Sequence, residues 1–235
     1  MHSMAAEKLG LRATLQDLRD YWVARSSSIP YLPAALESVI WQSWFELPPA
    51  VSFVPGNQNM AGLIALTCIG KAIDATTVFE IGTLNGLTTL TLARNLPAAR
   101  FTTIDIEQRP RVYQQAPEAT RIEQFIGNSA TFDYSPYKGR CDLVYIDGDH
   151  SLAMVSSDTN SAFAMLAPGG AIVWDDYDGY SPGVVRYLDR FDRPGLFRIL
   201  GTKLAVYFAP QALERLMRQA PRDARPIGRS GRCGM

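Results

Sequence analysis

Histidine and cysteine are scarce in this chain of 235 residues, which holds two of the first and three of the second. Cys68, Cys141 and Cys233 stand far apart with no Cys-x-x-Cys pair, which argues against both a disulfide framework and a thiolate zinc site. An excess of charge of one sign is missing too, because 23 Lys and Arg balance 23 Asp and Glu. Neither nucleic acid nor an anionic membrane is then favoured as a partner on electrostatic grounds. No apolar run reaches the roughly 18 residues that a spanning helix needs, and the N-terminus lacks the charged-then-apolar pattern of a signal peptide. A cytoplasmic protein is the expectation. The dinucleotide fingerprint G-x-G-x-x-G is also absent, which disfavours a nicotinamide cofactor.

What the chain does have is acid at the ends of apolar runs. Leu143-Val-Tyr-Ile146 stops at Asp147 and Asp149, and Ala171-Ile-Val-Trp174 stops at Asp175 and Asp176. Short β-branched runs that end in carboxylates read as buried parallel strands delivering acids to one sheet edge, where open α/β sheets place their ligands. Four acids at one edge suggest a divalent cation.

With 47% hydrophobic residues, the chain suits one compact domain with a small extension. Leu11 to Arg25 and Ala34 to Leu47 have helical apolar spacing, and the second carries Trp41, Trp44 and Phe45. Residues 1–50 therefore read as a helical extension that packs on the domain, with a homodimer face as the alternative. After the breaks at Pro48-Pro49 and Pro55-Gly56, an apolar helix runs from about Met60 to Ile73. From Thr77 the order strand, Gly-containing turn, helix recurs. Strands are expected at 78–81, 101–104, 121–125, 143–146, 171–174, 197–200 and 204–208. The last two are hairpin-like around Gly201-Thr202-Lys203, which predicts an α/β, Rossmann-like, doubly wound mixed sheet of about seven strands, the last antiparallel, with helices on both faces. This domain spans 51–210; 211–235 reads as a C-terminal helix and an Arg- and Gly-rich tail whose composition predicts disorder.

The first turn, Glu80-Ile-Gly82-Thr-Leu-Asn-Gly86, directly follows a strand and precedes a helix. Glycine lets backbone approach a ligand closely, the helix start offers free N–H donors, and an acid two residues before the first Gly suits a ligand bearing an ammonium group. Asp105 ends the second strand, where an acid accepts from both hydroxyls of a ribose; Glu107 is the near competitor. Gly127-Asn128-Ser129 ends the third strand and offers small polar groups to an adenine edge.

Together E-I-G-T-L-N-G, the acid of T-I-D-I-E, V-Y-I-D-G-D-H and I-V-W-D-D-Y resemble the class I S-adenosylmethionine-dependent methyltransferases. Within them the chain looks like the metal-dependent O-methyltransferases of the sugar and catechol group, over about Val54 to Phe208. The resemblance implies Glu80 near the methionine ammonium, Gly82 and Gly86 along the methionine, Asp105 at the ribose, Asn128 and Ser129 by the adenine, and Asp147 beside the cofactor. It further implies Asp147, Asp175 and Asp176 as ligands of Mg²⁺ or another divalent cation. For the general base it leaves two residues, His150 and Asp149, the histidine favoured because it titrates near neutrality. The acceptor would be a hydroxyl of a small molecule, a sugar or a secondary metabolite. An N-methyltransferase on the same fold, or a cofactor-binding partner subunit without catalysis, are the alternatives. Asn57 and Gln58 are candidates for covering the site, and Tyr177, Asp178 and Tyr180 for lining the acceptor pocket.

Overall fold

The computed structural model describes residues 27–46, 59–191 and 193–221. The first helix of the extension, Leu11 to Arg25, the loop with Asn57 and Gln58, and the Arg-rich tail lie outside them. The elements, numbered in chain order, begin with α1 (Ala34–Ile40) and α2 (Met60–Ala72). Then follow β1 (Thr77–Ile81), α3 (Leu87–Asn95), β2 (Arg100–Asp105), β3 (Ile122–Ile126), β4 (Cys141–Ile146), α4 (Leu152–Met165) and β5 (Leu166–Trp174). The chain closes with α5 (Pro182–Leu188), β6 (Leu196–Arg198), β7 (Ala205–Phe208) and α6 (Pro210–Gln219).

One seven-stranded sheet runs in the order β3-β2-β1-β4-β5-β7-β6, with β7 antiparallel to both of its neighbours. The central strands are buried on both faces, which is why Leu143–Ile146 of β4 and Ala171–Trp174 of β5 read as unbroken apolar runs with no polar alternation. Side chains nevertheless sort by parity. Val78, Leu143, Tyr145 and Val173 pack with α1, α2, α3 and α6 on one face, while Phe79, Ile81, Val144, Ile146 and Trp174 pack with α4 and α5 on the other.

Local chemistry sets the helix starts. Asn59 caps α2 by accepting from the Gly62 amide at 2.8 Å, and Ser151 caps α4 by accepting from the Met154 amide at 3.4 Å. The pattern alone gives no range for α4, whose middle, Ser156 to Ser161, is polar and poor in helix formers. Tertiary burial of Val155, Thr159 and Ala162 holds it instead, and the Thr159 hydroxyl accepts from the Trp174 indole at 2.9 Å. Trp44 stays largely exposed, with the Lys71 ammonium 4.4 Å from its ring centre, and the α1 helix stops before it.

The strand order determines where a ligand fits. From β1 the chain moves outward through β2 to β3, then returns to β4 on the other side of β1. That reversal leaves a crevice at the carboxyl ends of β1 and β4, where neither connection covers the sheet. Among the described residues, no helix is long and apolar enough to cross a membrane.

Candidate active site

Gly82 leaves β1 at φ +90°, and a Cβ there would lie 1.9 Å from the Asp147 carbonyl oxygen beyond β4. The two strand ends approach this closely only because no side chain stands between them. Leu84 at φ +48° and Gly86 at φ +78° complete the turn into α3, and a Cβ on Gly86 would meet the Tyr113 ring at 2.5 Å.

Asp105 ties this turn to β2. Its Oδ2 accepts from the Thr83 amide at 3.0 Å and the Leu84 amide at 2.7 Å, and its Oδ1 accepts from the Glu107 amide at 2.8 Å. In front of the turn opens a cavity of about 300 Å³ whose lining includes Gly82, Asp105, Asn128, Ser129, Asp147 and Asp149. Six residues read from the sequence thus share one wall system. Glu107 lines it as well and pairs with Arg109.

Glu80 and Gly86 do not line that cavity. Glu80 points to the α2–α3 face of the sheet, where the Thr89 hydroxyl donates to its carboxylate. Burial pushes its carboxyl up to about 7, against the pull of the Thr89 and Thr103 hydroxyls. It supports the turn from beneath.

The acid cluster sits beside the cavity. Asp147 follows β4, with its amide donating to the Ile81 carbonyl at 2.8 Å, and Asp175 follows β5, with its amide donating to the Ile146 carbonyl at 3.0 Å. The Tyr145 hydroxyl lies 3.1 Å from Asp147 Oδ2 and 3.2 Å from Asp175 Oδ2. Burial, and then the neighbouring charges of Asp175 and Asp176, hold the Asp147 carboxyl well above the usual carboxylate range. Asp176 adopts φ +54°, in the left-handed region. Asp147, His150 and Asp176 bring one ligand atom each within 4.8 Å of one another. Two hard carboxylates whose charges repel, with an imidazole between, fit a divalent cation. Asp175, the third ligand that the resemblance implies, is not part of this trio.

His150 Nε2 is 3.1 Å from Asp176 Oδ2, and Nδ1 is 3.5 Å from the Ser181 hydroxyl. Asp149 turns elsewhere, its Oδ1 accepting from the Ser151 amide at 2.7 Å just before α4. That bond, with the Ser151 side chain as first cause, holds Asp149 below the usual carboxylate range. A carboxylate held low in this way is a weak base.

Lys203 was not singled out by any sequence signal. Its Nζ bonds Asp176 Oδ1 at 3.2 Å and Asp178 Oδ2 at 3.0 Å. Burial alone would lower its pKa, but the two carboxylates outweigh that and raise it. Lys203 also lines a second cavity, of about 380 Å³, together with Tyr31, Asn59, Tyr177, Asp178 and Arg198. Tyr177 and Asp178 were expected in such a pocket; Tyr180 is exposed and lies outside it. Tyr31, Asn59, Arg198 and Lys203 come from three separate chain regions, so only the fold joins them.

Residues 79–177 match the family model described as a methyltransferase domain. Over that stretch, somewhat less than half of the chain, the sequence is similar to a methyltransferase domain. Among solved structures, cofactor-bound Rv0187 from MTB is 25% identical, with a TM-score of 0.51 over 75% of this chain and 86% of that one. The O-methyltransferase TomG from Streptomyces achromogenes, solved with SAM, is 21% identical, with a TM-score of 0.52 over 83% and 98%. An O-methyltransferase from Bacillus cereus, solved with SAH, is 18% identical, with a TM-score of 0.51 over 80% and 96%. No curated protein matches the sequence. The matched residues thus span the Gly82 turn, Asp105, the Asn128-Ser129 loop and the acid cluster.

Proposed function

We propose that the chain is a divalent-cation-dependent O-methyltransferase acting on a hydroxyl of a small molecule, a sugar or a secondary metabolite. One observation carries this reading: Asp147 lines the first cavity, Lys203 lines the second, and Asp176 sits within bonding or ligating distance of both. The cluster therefore stands where a donor in one cavity meets an acceptor in the other.

In the first cavity Asp105 is set to receive ribose hydroxyls, Asn128 and Ser129 the adenine edge, and the Gly82 backbone the methionine portion. The acid-rich edge favours a sulfonium cation over a neutral ligand. Asp147 and Asp176, with Asp175, would hold the cation, which would lower the pKa of an acceptor hydroxyl and leave His150 free as a base. His150 is the base, accepting the acceptor's proton at one ring nitrogen while Asp176 steadies the ring. The leaving sulfur departs neutral and needs no acid, so orientation and deprotonation are the protein's two tasks. The second cavity, rich in Tyr31, Tyr177, Arg198 and Lys203, offers a polar and aromatic surface suited to a hydroxylated ring.

A methyl-transfer screen over sugars, catechols, phenolic acids and amines, each with and without a chelator, tests the proposal. Transfer to hydroxyl acceptors that is lost with chelator and restored by Mg²⁺ is expected. Transfer to amines alone, or activity indifferent to chelator, would overturn it.

A further inference from the structure

Arg111 has a completely covered side chain. Burying a guanidinium is costly in lost hydration unless partners replace the water. Here Nη2 donates to the Glu107 carbonyl at 2.8 Å and lies 3.5 Å from Asp105 Oδ2. Because arginine only donates, the Gln124 amide presents its oxygen, which accepts from Nε at 2.9 Å and Nη2 at 3.0 Å. The other end of that amide donates to the Tyr113 hydroxyl at 2.6 Å. Nη1 is buried with no protein partner.

The segment that carries Arg111 also grips the turn. The Val112 amide donates to the Asn85 carbonyl at 2.8 Å, and the Tyr113 ring covers Gly86. The Arg111 backbone is itself fixed, its amide donating to Gln114 Oε1 at 3.2 Å. Arg111 and the Gly82–Gly86 turn are therefore one rigid unit, and Asp105 is the carboxylate at its centre.

Asp105 Oδ2 faces three donors, the Thr83 and Leu84 amides and Arg111, while Oδ1 has only the Glu107 amide. The crowded oxygen sets the plane of the carboxylate, and the less crowded one keeps lone-pair capacity for a further donor. An apolar side chain of similar volume would pack behind the turn without the cost of burying a charge. The charge acts on Asp105.

We propose that Arg111 is a positioning residue for the cofactor: it holds Asp105 from behind in the orientation that receives the ribose hydroxyls. This rests on the reading of Asp105 given under Proposed function.

The test is a cycle of two changes on the full-length chain, one in the protein and one in the ligand. Calorimetry measures binding of S-adenosylhomocysteine and of its 2′,3′-dideoxy analogue to the wild type and to Arg111→Met. For the wild type, loss of the ribose hydroxyls should weaken binding about tenfold or more, as for hydrogen bonds to a charged group. Arg111→Met should bind S-adenosylhomocysteine about tenfold more weakly, and then lose less than about threefold further on removal of the hydroxyls. A merely structural role would weaken both ligands alike and leave the wild-type sensitivity to the hydroxyls, which would overturn the inference. Wild type that binds both ligands equally removes Asp105 from the ribose, and the inference with it. Wild type that binds neither overturns the cofactor reading itself. Should Arg111→Met fail to fold, Gln124→Leu removes the amide acceptor of the same guanidinium, and the same loss of hydroxyl sensitivity is expected.

Discussion

His150 Nε2 lies 3.1 Å from Asp176 Oδ2, so the imidazole is aimed by a residue of the proposed cation site. A base held in this way loses its function without loosening the cofactor, since the first cavity is built from other side chains. His150→Ala should lower turnover about 10²- to 10⁴-fold, the usual worth of a positioned base, with S-adenosylhomocysteine affinity changed less than about threefold. Single-turnover methyl transfer and calorimetry measure the two quantities. Unchanged turnover would remove His150 from the reaction. Asp149→Asn, by contrast, keeps an oxygen that accepts from the Ser151 amide, so it should change both stability and turnover little.

The cluster makes a separate prediction about the cation. Asp147 carries a carboxyl whose charge is disfavoured by burial and by Asp175 and Asp176. A bound divalent ion relieves that repulsion, so metal and protons compete for the site. Mg²⁺ affinity measured by calorimetry should rise with pH across the acidic range, and Asp176→Asn should weaken it at least tenfold. Binding unaffected by either change would place the ion elsewhere.

Much of this site was legible in the sequence, and the reason is local. Leu143–Ile146 and Ala171–Trp174 are central strands whose burial on both faces forces unbroken apolar runs, so the acids that stop them stand out. Gly82 and Gly86 also announce themselves, because each occupies a backbone conformation that favours glycine. Other parts needed the fold. Glu80 reads as a cofactor contact by spacing, yet strand parity turns it to the opposite side, under α3. Asp149 and His150 are neighbours in sequence, and only the turn before α4 separates an acid bonded to the Ser151 amide from a ring aimed at Asp176. Lys203 and Arg111 act through partners on other elements, which no local pattern encodes.

Glu80 predicts a pH dependence of stability. Its carboxyl rises from an unfolded value of 4.5 to about 7 in the fold, so the folded state binds the proton more tightly. The resulting contribution is fully present below about 4.5, falls as pH rises through the window up to 7, and is constant above it. At most a few kcal/mol is involved. Glu80→Gln keeps a group that accepts from the Thr89 hydroxyl and removes the titration. Thermal midpoints of the two proteins should therefore diverge between pH 5 and pH 8, with the variant gaining at the higher pH. Parallel curves would show that Glu80 does not titrate in this range.

The two glycines at the cavity mouth offer a contrast in stability. At Gly82 a methyl group would meet the Asp147 carbonyl at 1.9 Å, at φ +90°, whereas at Gly127 it would meet nothing within 4 Å. Gly82→Ala should cost about 3 kcal/mol or more, which is roughly 6–12 °C in melting temperature for a chain of this size. Gly127→Ala should stay within about 1 kcal/mol of wild type. Differential scanning calorimetry of both variants checks the pair, and similar losses would mean that β1 and β4 do not approach through Gly82.

Lys203 places a permanent positive charge on one oxygen of Asp176 while His150 faces the other. An ammonium there repels a divalent cation that shares the same carboxylate. Lys203→Met removes that repulsion and leaves the backbone bond from the Tyr177 amide to the Lys203 carbonyl, 2.8 Å, in place. At the dielectric of a half-exposed site the effect is about 1 kcal/mol, or roughly fivefold. Mg²⁺ should therefore bind Lys203→Met about fivefold more tightly than wild type. Acceptor KM should rise at the same time, because Lys203 is part of the wall of the second cavity. Tighter metal binding with an unchanged acceptor KM would keep Lys203 beside the ion but remove it from the acceptor. If Mg²⁺ affinity does not change, Asp176 is not a ligand of the ion.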